Sequence, residues 1–214
     1  MRAFRISFVV VVLDQAAKYA VIHLMERGES IALIGDWLRL TFTENPGMAF
    51  GIEYAPPFVI TTFSIIATGL IVIYMKRVGK VYTPYTTSLA LVFGGAVGNI
   101  IDRVVNDKLY YEGSLFVGKV IDFIHVNVWR GYVPESIPFI GGKYVALFPI
   151  WNGADMAIVI GVVGILFFQK KFHENLAAAA GETIETTAAA GGTVSTIETD
   201  TSNLSSPDER TASE

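Results

Sequence analysis

Residues Trp151 to Phe168 read WNGADMAIVIGVVGILFF, an apolar run of membrane length with one carboxylate, Asp155, at its leading end. A lone Asp in such a run costs about 2.5–3.5 kcal/mol at the bilayer centre and less near the interface. Something must offset that cost, and the strongest partner in the chain is a second carboxylate, Asp122, in VIDFI. Asn152 stands where it would cap the helix, which puts Asp155 at its third position, where the helix dipole favours an anion. Capping alone also accounts for an Asp there, so Asp155 gains functional meaning only through Asp122.

Composition places the whole chain in a bilayer. Of 214 residues, 52% are hydrophobic and 17% charged, and the mean hydropathy is +0.48, too apolar for an ordinary soluble domain. The absence of cysteine excludes disulfides and thiolate chemistry. The net charge of −4 hides a division: from Glu174 onward there are eight acids and one base, leaving fifteen bases and twelve acids before it. Scattered bases and an acidic tail exclude nucleic-acid binding.

Four spans are expected, at residues 4–25, 58–75, 85–101 and 151–168, each long enough for a core of about 30 Å. A cleaved signal peptide is rejected for the first, because Asp14, Gln15 and Lys18 interrupt it and no small-residue cleavage site follows. Asp14 and Lys18, four apart, share a helix face and read as a structural ion pair. In the third span Gly94, Gly95 and Gly98 permit close helix approach, after which Asn99, Asp102 and Arg103 gather at the helix end. Bases at Arg2 and Arg5, at Lys76, Arg77 and Lys80, and at Lys170 and Lys171 place both termini in the cytoplasm and both long loops outside.

Those loops carry strand signals. Leu38, Leu40 and Phe42 alternate with polar residues, as do Ile124, Val126 and Val128. Asn45-Pro46-Gly47 is a turn, and Met48 to Gly51 is apolar enough to dip back toward lipid or protein. Gly131 to Gly142 reads as a loop over the site. Residues 174–214 read as a disordered, low-complexity cytoplasmic tail. The fold class is therefore integral membrane and mainly α: a four-transmembrane-helix bundle over residues 1–173, with a small extramembrane β-sheet cradle on the outer side.

His23, His125 and His173 are too dispersed for serine chemistry or a histidine metal site, Lys18 is already occupied by Asp14, and no spacing makes Asp102, Asp122 and Asp155 a metal site. Paired carboxylates remain. Two aspartates held close cannot both ionise, so one donates a proton while the other takes one from water. That chemistry hydrolyses peptides and needs no cofactor or metal.

Four blocks read together resemble the prolipoprotein (type II) signal peptidases: Asp14-Gln15-x-x-Lys18; Asn45-Pro46-Gly47-Met48-Ala49-Phe50-Gly51; Gly94-Gly95-Ala96-x-Gly98-Asn99-x-x-Asp102-Arg103; and Val120-x-Asp122-Phe123 with Trp151-Asn152-x-Ala154-Asp155. The resemblance runs from Phe4 to about Lys171. Departures are Ala17 where the family has Ser or Thr, Met48 for Ala, Trp151 for Phe, and a longer loop between Trp129 and Trp151. It implies a monomeric membrane aspartyl endopeptidase of the bacterial inner membrane that cuts diacylglyceryl-modified prolipoproteins before the lipidated cysteine. By the same resemblance Asp122 and Asp155 form the catalytic dyad. Asn45, Asn99, Arg103 and Asn152 are the polar shell, Asp102 lies beside them, and Asp14 with Lys18 supports the site. A small four-helix transporter or binding protein is the alternative. It predicts polar residues through the depth of several spans, whereas here they cluster at one side. A purely structural subunit leaves Asp122 and Asp155 without a purpose.

Overall fold

The computed structural model describes residues 2–47, 56–79, 81–127, 130–138, 141–142, 144–146 and 148–189. Contacts divide the chain into two units, residues 1–175 and 176–214. Met48 to Gly51 and Lys80 lie outside the described residues, as does the tail from 190 onward.

Among the described residues four helices are long and apolar enough to cross a membrane. They are α1 (Arg2–Leu24), α2 (Pro57–Val78), α3 (Thr83–Tyr111) and α4 (Gly153–Ala189). Their outer faces carry exposed Phe8, Leu13, Phe63, Leu70 and Phe167, a pattern suited to lipid and unsuited to water. Inside, Tyr85 stacks on Phe172 at 4.1 Å within a core that includes Met75 and Leu89.

Two glycines of α3 show why the small residues are there. A Cβ on Gly98 would lie 2.6 Å from Asp14 Oδ2, and one on Gly95 would run into the Ala154 carbonyl. The absent side chains let α1 and the mouth of α4 pack directly against α3.

Between the helices run β1 (Ser30–Ile34), β2 (Leu38–Asn45), β3 (Val120–Val126), β4 (Arg130–Tyr132), β5 (Tyr144–Ala146) and β6 (Ile150–Trp151). An antiparallel sheet has the order β1-β2-β3-β6, and β4 pairs with β5 alone. One face packs Phe42, Ile121 and Phe123 against Val21 of α1. Period-two alternation turns Asp122 to the other face.

Three expectations change. Helix α3 continues past Ile101 to Tyr111 and ends at Glu112, whose φ of 54° is left-handed, so Val104 to Tyr111 is helix and not loop. The Gly131–Gly142 loop lies within a β4–β5 hairpin, with Tyr132 opposite Tyr144. Helix α4 persists to Ala189, where no order was expected after 173; its alanine run has the highest helix propensity of any residue.

Candidate functional site

Lys18 lies within α1, 2% exposed, and a buried ammonium must find acceptors for its three protons. It finds them in Asp14 (2.8 Å), Asp102 (2.7 Å) and the side-chain oxygen of Asn99 (2.9 Å). Gln15 adds contacts from its amide nitrogen to Asp102 (3.0 Å), the Gly98 carbonyl (3.1 Å) and Asp14 (3.2 Å). The expected Asp14–Lys18 pair is thus one side of a three-charge cluster that also takes in Asp102.

The carboxylates of this cluster also accept backbone N–H groups. Asp14 accepts the Ala154 N–H at 2.8 Å and Asp102 accepts the Ile121 N–H at 3.1 Å. Ala154 precedes Asp155, and Ile121 precedes Asp122. The cluster therefore grips the chain immediately before each of the two aspartates.

Asn152 is fully buried and touches both aspartates. Its carbonyl oxygen accepts the Asp155 N–H at 2.9 Å, the capping bond read from sequence, and its amide donates to Asp122 at 2.6 Å. The same amide reaches the Asn99 oxygen at 3.1 Å, while Asn99 donates to Asp155 at 2.8 Å. Asn45, at the end of β2, adds a side-chain hydrogen bond to Asp122, and its side-chain Oδ1 accepts the Gly47 N–H at 2.9 Å. Amides thus link Asp122 to Asp155 across three elements.

Burial is the largest influence on Asp122, which is 2% exposed. Together with the charge of Asp155 it pushes the carboxyl up to about 7, against the opposing hydrogen bonds of Asn45 and Asn152 and the charge of Lys18. Arg103 feels the charges of Asp122, Asp102 and Asp155, and its buried Nη1 has no hydrogen-bond partner among the described residues. Gly47, at φ +103°, passes so close that an added Cβ would sit 2.9 Å from that Nη1. The histidines stay out of the site: His23 bonds the Tyr19 carbonyl and His125 the Thr41 hydroxyl. Among the described residues no three His, Cys, Asp or Glu side chains are grouped to hold a metal ion.

A family model described as signal peptidase (SPase) II matches residues 6–170. The chain belongs to the signal peptidase II family. Membership makes it a protease, and with four candidate spans it fits a multi-pass membrane protein. A lipoprotein signal peptidase of Chlorobium phaeobacteroides (strain DSM 266) is 39% identical over 165 residues, covering 77% of this chain and 88% of that one. Another, from Amoebophilus asiaticus, is 36% identical over 177 residues, covering 76% and 75%. Two solved bacterial membrane enzyme structures, at 27% and 28% identity, superpose with TM-scores of 0.59 and 0.58 and cover 81% and 78% of this chain and 90% of each of theirs.

Every candidate residue read from sequence falls in this one region of a signal peptidase II chain. Gln15 stands in the Asp14-Gln15-x-x-Lys18 block without an expected role; its contacts to Asp102 and Gly98 give it one. The two backbone grips at Ile121 and Ala154 depend on tertiary placement and leave no trace in composition.

Proposed function

We propose that this protein is a membrane aspartyl endopeptidase that removes the signal peptide from prolipoproteins, cutting before the diacylglyceryl-modified cysteine. The observation that carries this reading is Asn152, one buried amide bonded to Asp122 and to the backbone of Asp155. A bridge of that kind supports two carboxylates that act together at one site.

Asp155, at the helix mouth, takes a proton from water as the oxygen attacks the scissile carbonyl. Asp122, holding its proton up to about pH 7, donates to the developing oxyanion. The tetrahedral intermediate then collapses: Asp155 passes the proton it took from water to the amide nitrogen, a hydroxyl of the intermediate returns a proton to Asp122 as the carbonyl re-forms, and the C–N bond breaks to free the new amino terminus of the lipidated cysteine. The signal peptide departs with a carboxylate. Asn45 and Asn99 hold the two carboxylates in position, and Arg103 supplies a fixed positive charge beside them.

Bases in the first turns of α1 (Arg2, Arg5), at the end of α2 (Lys76, Arg77) and along α4 (Lys170, Lys171) support cytoplasmic termini and an outward-facing site, and the proposed protein is a monomer of the bacterial cytoplasmic membrane. The test is to incubate the purified protein with a diacylglyceryl-modified precursor and with its unlipidated form. Cleavage of the first alone is expected; equal cleavage of both would remove the lipid-specific reading.

A further inference from the structure

Glu44 immediately precedes the Asn45-Pro46-Gly47 turn, and its side chain is 1% exposed. Strand β2 places it opposite Ile121, on the face away from Asp122. There the Tyr111 hydroxyl donates to one carboxylate oxygen. Arg27 (3.0 Å) and Lys119 (3.5 Å) approach the other. These partners come from the last residue of α3, the α1–β1 connection and the residue just before β3. One buried carboxylate thus joins the ends of three segments at the point where β2 delivers Asn45.

We infer that Glu44 is a positioning residue, which acts through Asn45 to fix the amide that faces Asp122. Its neighbour in sequence makes that contact, and alternation in β2 directs the two side chains to opposite faces. Whatever anchors Glu44 therefore anchors Asn45. Tyr111 adds a constraint of its own, since α3 also carries Asn99 and Arg103 about two to three turns earlier. Its hydrogen bond to Glu44 sets β2 against the helix whose Arg103 lies beside Gly47.

The inference rests on the proposed dyad and its readout is the titration of Asp122. The charged groups facing Asp122 are Lys18 of α1, Arg103 of α3 and Asp155 of α4; on its own strand His125 is bonded to Thr41. An amide donor favours the ionised form, so displacing Asn45 raises the Asp122 pKa further. Cleavage of a diacylglyceryl-modified precursor is measured across pH for wild type, Glu44→Ala, Glu44→Gln, Tyr111→Phe, Asn45→Ala and the Glu44→Ala/Asn45→Ala double variant.

Glu44→Ala is expected to lower kcat about tenfold with KM little changed, and to move the alkaline limb upward by about half to one pH unit. Tyr111→Phe moves the limb the same way by less. Glu44→Gln keeps an acceptor for Tyr111 and loses only attraction to the two half-exposed bases, so the limb returns toward its wild-type position. The double variant matches Asn45→Ala alone. A limb that stays fixed in Glu44→Ala, or additive losses in the double variant, would overturn the inference.

Melting temperature against pH for the same variants follows Asp122 without substrate. It separates failure of this coupling from failure of the peptidase reading, which would show as no cleavage by wild type. Should Glu44→Ala not fold, Tyr111→Phe and Glu44→Gln carry both measurements.

Discussion

Two pairs of carboxylates lie at one end of the bundle and differ in what stands between them. Asp14 and Asp102 share an ammonium, Lys18, within 2.8 Å of each; Asp122 and Asp155 are linked through the amides of Asn152 and Asn99. An ammonium balances charge, and an amide only bridges it. The first pair is therefore suited to holding structure, and its carboxylates also hold the backbone before Asp155 and Asp122. In the second, Asp122 rises to about 7 and becomes available as a proton donor. Asp14, Asp102 and Asp122 are buried, while Asp155 at the helix mouth is half-buried, so the two pairs differ in access as well as in the bridging group.

The comparison breaks most severely at Lys18. Lys18→Met leaves two buried carboxylates without their cation, a loss of about 3–5 kcal/mol, read as a large fall in melting temperature with activity lost alongside.

Next comes pH. A carboxyl whose folded pKa lies above its unfolded one binds more protons in the native state, so its contribution to stability is complete below about pH 4 and is lost as pH rises through about 7. Wild-type stability should decline across that window by up to about 4 kcal/mol, and Asp122→Asn should lack that component. A parallel decline in Asp122→Asn would assign it to other groups.

Gly47→Ala forces φ +103° on a residue with a side chain and pushes it toward Arg103. About 1–3 kcal/mol of strain is expected, with cleavage reduced more than tenfold because the Asn45 turn shifts. Smallest in stability is Asn152→Ala, where a lost cap costs about 1 kcal/mol. Its cleavage rate should nevertheless fall about a hundredfold or more, since the bridge between the aspartates is gone. Equal proportional losses of stability and rate in this variant would erase the distinction between the two pairs.

What could be read from sequence follows the range of the interaction. Asn152 and Asp155 are three residues apart, so their cap was visible in the chain; Asp14 and Lys18, four apart, were visible for the same reason. Asp102 joining Lys18 depends on α1 lying against α3, which the glycines hinted at without fixing the depth. Strand β1 escaped notice because SIALI is exposed throughout and its alternation has no buried face to record. The β4–β5 hairpin was masked by proline and glycine, which signal turns and not the short pairing beside them. Glu44 passed as an ordinary polar strand residue; its importance comes from Tyr111, 67 positions away. Candidate site residues were legible because a membrane makes polar groups costly and so conspicuous. Their bonding was not, because hydrogen bonds between distant segments follow from packing.

The most direct test compares wild type, Asp122→Asn and Asp155→Asn at pH 8, each reconstituted in lipid and confirmed folded by thermal melting, in cleavage of one diacylglyceryl-modified precursor. The expected result is no detectable product from either variant while Asp122→Asn melts at or above the wild-type temperature. Cleavage near the wild-type rate by either variant would contradict the two-aspartate account.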